Sequence, residues 1–135
     1  MDALTGEVRE LIEGRNFVHV ATVMPDGSPH VSPVWATVEG DGIAFFTQSG
    51  NVKARNLDRD PRVALSVTDQ ANPYRAAHVR GRVVEKRTGE AALEVMDRMS
   101  VRFTGEPFGF RGPNGVLYVI EPERVSFVEL PFTYD

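Results

Sequence analysis

The sequence has 135 residues, of which 41% are hydrophobic and 25% are charged, and its formal net charge is −4. These values predict one globular domain over residues 1–135, and the acidic balance argues against a general attraction to nucleic acid or to anionic membranes. The absence of cysteine excludes disulfides, thiolate metal sites and cysteine nucleophiles. No signal peptide and no membrane-spanning apolar run can be recognised, so we expect a cytoplasmic protein.

The chain begins with an amphipathic pattern. Asp2 is the predicted N-cap of a helix over residues 3–13, and Gly14 ends it. A substrate lid is one interpretation of this helix, but packing over the end of a barrel is favoured, because amphipathic helices are usually packing elements. The apolar side chains that recur at helical spacing are Leu4, Val8, Leu11 and Ile12.

Three strands are predicted next. Residues 17–24 are rich in β-formers and predict a strand buried on both faces, followed by a hairpin turn at residues 25–28. The second strand covers residues 30–38 and contains Pro33, which lacks an N–H group and therefore marks an edge, a bulge or a bend. The third strand covers residues 43–47.

A short helix then follows a polar, glycine-containing turn and ends before Pro61. Six or seven short strands with two or three helices predict a small closed or half-open β-barrel rather than an alternating βαβ fold. The remaining segments are strands over residues 63–68 and 74–85, a helix over 88–99, a loop over 104–114, and one bent strand or two over 116–130.

The turn before the short helix predicts an anion site. Lys53 stands in the first helical turn, where unpaired N–H groups already carry partial positive charge. A lysine there is unfavourable unless an anion lies beside it, and a phosphate would use both the N–H groups and the ammonium. The alternative is a solvated helix whose basic residues pair with Asp58 and Asp60. The residues predicted to hold a phosphate are Thr47, Ser49, Asn51 and Lys53.

Other polar residues support weaker interpretations. A second basic cluster lies in the predicted strand over residues 74–85, where alternate side chains share a face. It would line a groove for an anionic ligand tail, or it would form an exposed face paired with Glu85 or Glu90. Trp35 would stack on a flat cofactor or anchor the core. The cluster comprises Tyr74, Arg75, His78, Arg80 and Arg82. The three histidines, His19, His30 and His78, match no compact metal motif, so no metal site is predicted.

The sequence resembles the pyridoxamine 5′-phosphate oxidase-like split β-barrel superfamily, and within it the actinobacterial deazaflavin-dependent oxidoreductases. The resemblance runs over residues 11–130, nearly the whole chain. The segments that carry it are residues 30–35, 46–47, 51–63, 72–75 and 79–83, together with the hairpin at 26–30.

This resemblance implies a mainly β, α+β fold: a six-stranded split β-barrel with two to three peripheral helices. It also implies a homodimer with the cofactor groove at the subunit interface. The residues implied to face the cofactor ring and side chain are His30, Ser32, Pro33, Val34 and Trp35. Those implied to hold its phosphate are Thr47, Ser49, Asn51, Lys53 and Ala54, and Tyr74, Arg75 and His78 border the same groove.

The implied activity is hydride transfer from reduced coenzyme F420 to a small organic acceptor, such as an enone, a quinone or a biliverdin-like molecule. Tyr74, His78 or water would supply the proton. FMN is the alternative cofactor, and a non-catalytic cofactor or tetrapyrrole carrier is the alternative function. The second strand has no basic residue besides His30, and no arginine follows Arg124. The true pyridoxamine phosphate oxidases carry an arginine and a lysine on the second strand and an arginine-bearing C-terminal motif. We therefore do not expect vitamin B6 phosphate as the substrate, and the resemblance favours the deazaflavin over FMN.

Overall fold

The computed structural model describes residues 2–134. This part of the chain forms seven strands and three helices. In chain order they are α1 (Gly6–Glu13), β1 (Val18–Val23), β2 (Pro29–Val34), β3 (Ala36–Glu39), β4 (Gly42–Gln48), α2 (Val52–Arg59), β5 (Arg62–Thr68), β6 (Arg75–Thr88), α3 (Gly89–Thr104) and β7 (Gly115–Glu129).

All the strands join one antiparallel sheet in the order β2-β1-β5-β6-β7-β4-β3. β2 and β3 stand at the two ends of this order, yet only Trp35 separates them in the chain. The ends of the sheet must therefore lie close together, and β2 also approaches β4. This closure makes the sheet a split barrel, which confirms the predicted mainly β fold.

The sheet has seven strands, which agrees with the six or seven predicted from the sequence pattern and is one more than the resemblance implies. The predicted second strand over residues 30–38 is interrupted at Trp35, two residues after Pro33. Residues before the break pair with β1, whereas residues after it pair with β4. The bend expected from Pro33 is thus present, and it transfers the chain from one end of the sheet to the other.

Helix α1 packs against β3, β5 and β6 through its buried residues Val8, Leu11 and Ile12. The predicted N-cap was wrong. Thr5 caps the helix, with its Oγ1 accepting a hydrogen bond from the backbone N–H of Val8 at 3.4 Å. Asp2 lies outside the helix, and its carboxylate instead accepts a hydrogen bond from the N–H of Val125 in β7.

The core has two layers. Phe45 and Tyr118 pack inside the barrel with their rings 5.6 Å apart. Phe46 and Met99 belong to a second cluster, in which α3 covers the outer face of β4 and β7. Within residues 2–134, no helix has the length and apolar composition needed to cross a membrane.

The outer face of β1 and β6 has no such cover. In β1, Val20 is fully buried whereas His19 is exposed, so the prediction of a strand buried on both faces was wrong. β6 alternates as predicted, with Val79 buried and the neighbouring His78 and Arg80 exposed. An open outer sheet surface therefore extends over β2, β1, β5 and β6.

Candidate functional site

Helix α2 is fixed to β1 by the side chain of Asn56. Its Nδ2 atom donates a hydrogen bond to the Oγ1 atom of Thr22 at 3.0 Å, and its Oδ1 atom accepts one from Arg59 at 3.1 Å. Arg59 also donates to the backbone carbonyl of Val23. In the alternative interpretation of this helix, its basic residues pair with Asp58 and Asp60, but Arg59 instead joins α2 to the sheet.

The turn before α2 is organised by Asn51. The Oδ1 atom of Asn51 accepts a hydrogen bond from the N–H of Ala54 at 3.3 Å, and its Nδ2 atom donates one to Thr47 Oγ1 at 2.7 Å. Gly50 has a φ of +90°, a conformation that side-chain-bearing residues rarely adopt. The N–H of Ser49 donates to the carbonyl of Asn114 at 2.7 Å. Thr47 and Asn51 therefore shape the helix start, whether or not they also contact a ligand.

Lys53 lies half-buried in the first turn of α2. Across residues 2–134, its ammonium has neither an ion-pair partner nor a side-chain hydrogen bond. Partial burial lowers the pKa of Lys53, because removing water disfavours its charged form. A nearby anion would oppose that effect. Lys53 also shares a helix face with Asn56, the residue that binds Thr22 of β1.

Two polar atoms of β2 are buried without a partner. Neither His30 Nδ1 nor Ser32 Oγ has a hydrogen bond within the described part of the chain. Such a group costs about 1 to 3 kcal/mol when it stays unsatisfied, so it calls for an explanation. His30 is opposite Thr22, the residue that binds Asn56 of α2. His30 therefore lies beside the residue that anchors the Lys53 helix, and Ser32 follows two residues further along the same face of β2.

The remaining predicted residues of β2 lie on two faces, because strand side chains alternate. Val34 is packed into the barrel core on the same side as His30 and Ser32, whereas Pro33 is exposed on the outer face. Val34, like the fully buried Ala54, can offer a ligand little beyond its backbone.

Trp35 lies in a stack of three aromatic rings. Its ring is 4.8 Å from that of Phe103 with an interplanar angle of 2°, and Phe103 in turn stacks on Phe17 at 5.9 Å. A cavity of about 310 Å³ is lined by Phe17, Pro33, Val34 and Trp35. Our sequence reasoning missed Phe17 and Phe103, because no local pattern pairs a residue before β1 with one near the end of α3.

Arg75 is already engaged by other residues. Its guanidinium pairs with Asp69 at 2.9 Å and Glu129 at 3.6 Å and lies 5.5 Å from the centre of the Phe127 ring. Arg75 also lines a cavity of about 740 Å³ together with Phe17 and Phe103. This cavity adjoins the aromatic stack, so Arg75 stands at the Trp35 end of β2.

Neither predicted proton donor stands with the orphaned atoms. Tyr74 precedes β6 and packs edge-on against Phe132, with 5.2 Å between ring centres. His78 is exposed on the outer face of β6, opposite Ser66 and Ser126 of the adjacent strands.

The predicted site residues thus do not converge on one point. His30 and Lys53 lie at the α2 end of β2, Trp35 follows its other end, and Ser32 to Val34 lie between them. A strand rises about 3.3 Å per residue, so His30 and Trp35 are separated by about 17 Å. This spacing suits an elongated ligand with a charged end and a flat end.

Replacing Ser32 with alanine tests whether its hydroxyl lacks a hydrogen-bond partner in the ligand-free protein. We expect the free energy of unfolding to stay the same or rise by up to about 1 kcal/mol, because the change removes an unsatisfied buried group. Urea denaturation of the ligand-free protein measures this. A loss of more than about 1 kcal/mol would show that the hydroxyl already has a partner within the protein.

Comparison with known proteins places these observations in a family. Among curated proteins, none matches the sequence. Over residues 4–129, however, the chain matches the family model described as pyridoxamine 5′-phosphate oxidase.

Solved structures give the same result. A structure named F420 reductase has a TM-score of 0.77 and 30% identity, over 87% of this chain and 94% of that one. The conserved hypothetical protein Rv2991 from Mycobacterium tuberculosis has a TM-score of 0.79 and 24% identity, over 99% of this chain and 94% of that one. General Stress Protein 26 from Bacillus anthracis has a TM-score of 0.70 at 18% identity, over 90% and 91% of the two chains. The match over nearly the whole chain and the shared split-barrel fold show that this protein belongs to the pyridoxamine 5′-phosphate oxidase family.

Proposed function

We propose that this protein is an oxidoreductase that binds coenzyme F420 along β2. The observation that carries the proposal is the pair of buried atoms in β2, His30 Nδ1 and Ser32 Oγ, that have no partner within residues 2–134. His30 is opposite Thr22, to which the helix that bears Lys53 is hydrogen-bonded. A phosphate at the start of α2 would neutralise Lys53 and accept hydrogen bonds from free backbone N–H groups. The separation of about 17 Å between His30 and Trp35 fits a cofactor with a phosphate at one end and a flat ring at the other.

In this proposal the residues at the two ends of the site have different roles. Thr47, Ser49, Asn51 and Lys53 hold the phosphate, and the backbone N–H of Ala54 would join them by exchanging its 3.3 Å hydrogen bond to Asn51 for one to the phosphate. Pro33, Val34 and Trp35, at the other end of β2, lie beside the flat ring system, and Tyr74 and Arg75 border the same end. The apolar surface of Trp35 and Phe17 suits a planar ring, whose burial is favourable without specific hydrogen bonds.

The bound deazaflavin would supply a hydride to a small organic acceptor such as an enone, a quinone or a biliverdin-like molecule. The chain would contribute position, exclusion of water and a proton. Tyr74 and His78 are the proposed proton donors, with water as the alternative.

FMN is the second candidate cofactor, since it shares the phosphate and the flat ring. The solved structure named F420 reductase, at 30% identity, favours the deazaflavin. So does the composition of β2, which has no basic residue besides His30. A carrier that binds the cofactor without turning it over is the alternative function.

We also propose a homodimer with the cofactor groove at the subunit interface. Val31 is 63% exposed and Phe17 is 53% exposed, and both adjoin residues of the proposed groove. A second copy covering them would bury apolar surface and close the groove. Sedimentation at micromolar concentration checks this, and a single monomeric species with bound cofactor would exclude the interface site.

A side-by-side fluorescence titration with coenzyme F420 and FMN tests the proposed function. We expect the deazaflavin to bind more tightly, and the complex to oxidise reduced cofactor when an enone, quinone or biliverdin is added. Cofactor binding without oxidation by any acceptor would support the alternative function of a carrier. Tighter binding of FMN than of the deazaflavin would identify FMN as the cofactor. If neither cofactor binds at micromolar concentration, both the oxidoreductase and the cofactor carrier are excluded.

Lys53→Met separates a ligand-binding role from a structural one. We expect the cofactor affinity to fall about tenfold or more, because a charge-assisted phosphate contact is lost. The melting temperature of the ligand-free protein should stay the same or rise, because an unpaired, partly buried charge disappears.

Lys86→Met is the matched control. Lys86 pairs with Asp58 at 3.0 Å, so its loss should lower the melting temperature slightly and leave cofactor affinity unchanged. If Lys53→Met instead lowers the stability of the ligand-free protein and leaves the affinity unchanged, Lys53 is structural.

A further inference from the structure

Another cavity lies on the outer face of the sheet, away from the barrel interior. Its volume is about 310 Å³, and its floor includes Ala21 and Ala64, which are opposite each other in β1 and β5. Arg62, Arg80 and Glu123 line its sides. Two adjacent alanines leave space above the sheet that larger side chains would fill, and charged groups surround that space.

The cavity adjoins a group of arginines on neighbouring strands. Arg80 of β6 is directly opposite Arg124 of β7, and Arg82 follows on the same face of β6. All three are exposed, and none forms an ion pair within residues 2–134. Like charges directly opposite each other in a sheet are destabilising. The Arg80–Arg124 pair therefore carries an unfavourable repulsion that a bound anion would relieve.

The neighbouring carboxylates leave this pair uncompensated. Glu121 is opposite Arg82, and Asp60 pairs with Arg62 at 2.8 Å, so those two arginines have acidic neighbours. Glu123 occupies an irregular position of β7 beside the pair, and Arg124 donates to its backbone carbonyl at 3.2 Å rather than to its carboxylate.

We propose that the cavity and the Arg80–Arg124 pair form a binding site for a small anion with at least two carboxylate or phosphate groups. Guanidinium groups bind such oxyanions through paired hydrogen bonds. Opposite residues in a sheet lie about 5 Å apart and residues two apart on a strand about 7 Å, so Arg80, Arg124 and Arg82 match a ligand with several oxyanion groups. The alanine floor would accept the ligand's carbon or phosphate skeleton.

This site does not rest on the proposed cofactor. Arg80 and Arg124 point to the outer face of the sheet, whereas His30 and Ser32 point to the inner face. A protein that fails to bind any flavin could therefore still bind the anion, and the two proposals fail independently.

Calorimetric titration of the full-length protein with citrate and with pyrophosphate tests the site, with acetate at equal ionic strength as the single-charge control. We expect at least one of the two polyanions to bind and to raise the melting temperature, and acetate to do neither. Binding of citrate alone would identify a polycarboxylate ligand, and binding of pyrophosphate alone a phosphate ligand.

The variants Arg80→Gln and Arg124→Gln should weaken polyanion binding by about tenfold or more, because each removes a charge-assisted contact. Without the anion, Arg124→Gln should be as stable as the wild type or more stable, since the repulsion is gone. Arg15→Gln is the matched control, because Arg15 is an exposed arginine in another part of the chain and forms no ion pair with any residue that the structure describes.

Three results would overturn the proposal. The first is binding of neither polyanion, or equal binding by wild type and both arginine variants. The second is a lower melting temperature of Arg124→Gln without anion, which would give the arginine a structural role. The third is loss of a dimer in Arg124→Gln without anion, which would assign the pair to carboxylates of a second copy.

Discussion

Gly81→Ala is expected to destabilise the protein by about 2 to 3 kcal/mol. A Cβ atom at this position would lie 2.2 Å from the carbonyl oxygen of Glu121 and 3.2 Å from a side-chain carbon of Ile120. Gly81 stands at a register shift between β6 and β7, in the middle of the sheet. The alanine would force the two strands apart where their backbones approach most closely, and hydrogen bonds between them would lengthen.

Guanidinium denaturation of Gly81→Ala measures this loss, and Gly109→Ala provides the control. A Cβ at Gly109 would meet nothing within 4 Å, so this second variant should unfold at the wild-type midpoint. If Gly81→Ala also keeps the wild-type midpoint, β6 and β7 can move apart at the register shift without loss of stability. The close backbone contact would then not be the reason for glycine at this position.

Asn56→Leu should lower the free energy of unfolding by about 1 to 3 kcal/mol. Asn56 is buried, and its amide donates a hydrogen bond to Thr22 Oγ1 and accepts one from Arg59. Leucine has a similar size but leaves both partners without this bond. Because Asn56 also fixes the helix that carries Lys53, we expect a weaker affinity for the cofactor as well.

Urea denaturation and cofactor titration of the same Asn56→Leu preparation measure both effects. Arg55→Gln is the control on the same helix, since Arg55 is exposed and forms no side-chain hydrogen bond in the described structure. A destabilised Asn56→Leu protein with wild-type affinity would show that the start of α2 keeps its position without this anchor, and that the amide serves stability alone.

Local chemistry made several elements predictable. The α2 helix and its preceding turn follow from Gly50, Asn51 and Pro61, because capping and φ restrictions act between residues close in the chain. The alternation of β6 is equally local, since side chains on a strand point to opposite faces in turn. The bend after Pro33 was predictable because proline lacks an N–H group, but the transfer of the chain to the other end of the sheet was not.

Contacts between distant segments were not predictable. The partners of Arg59 and Arg75, and the stacking of Trp35 on Phe103, join residues from separate elements. The burial of β1 on a single face also depends on where α3 packs, because α3 covers β4 and β7 and leaves the outer face of β1 open. No periodicity within one strand contains that information.

The sequence by itself determined the strands, the turns and the capped helix that begins beside Lys53, because these depend on backbone preferences and on neighbouring side chains. Only the tertiary structure decided which polar atoms are left without a partner. His30 Nδ1 and Ser32 Oγ are orphaned because closure of the barrel removes water from them and supplies no donor or acceptor in exchange. The Lys53 ammonium likewise has no carboxylate partner within residues 2–134, and its partial burial depends on how α2 packs.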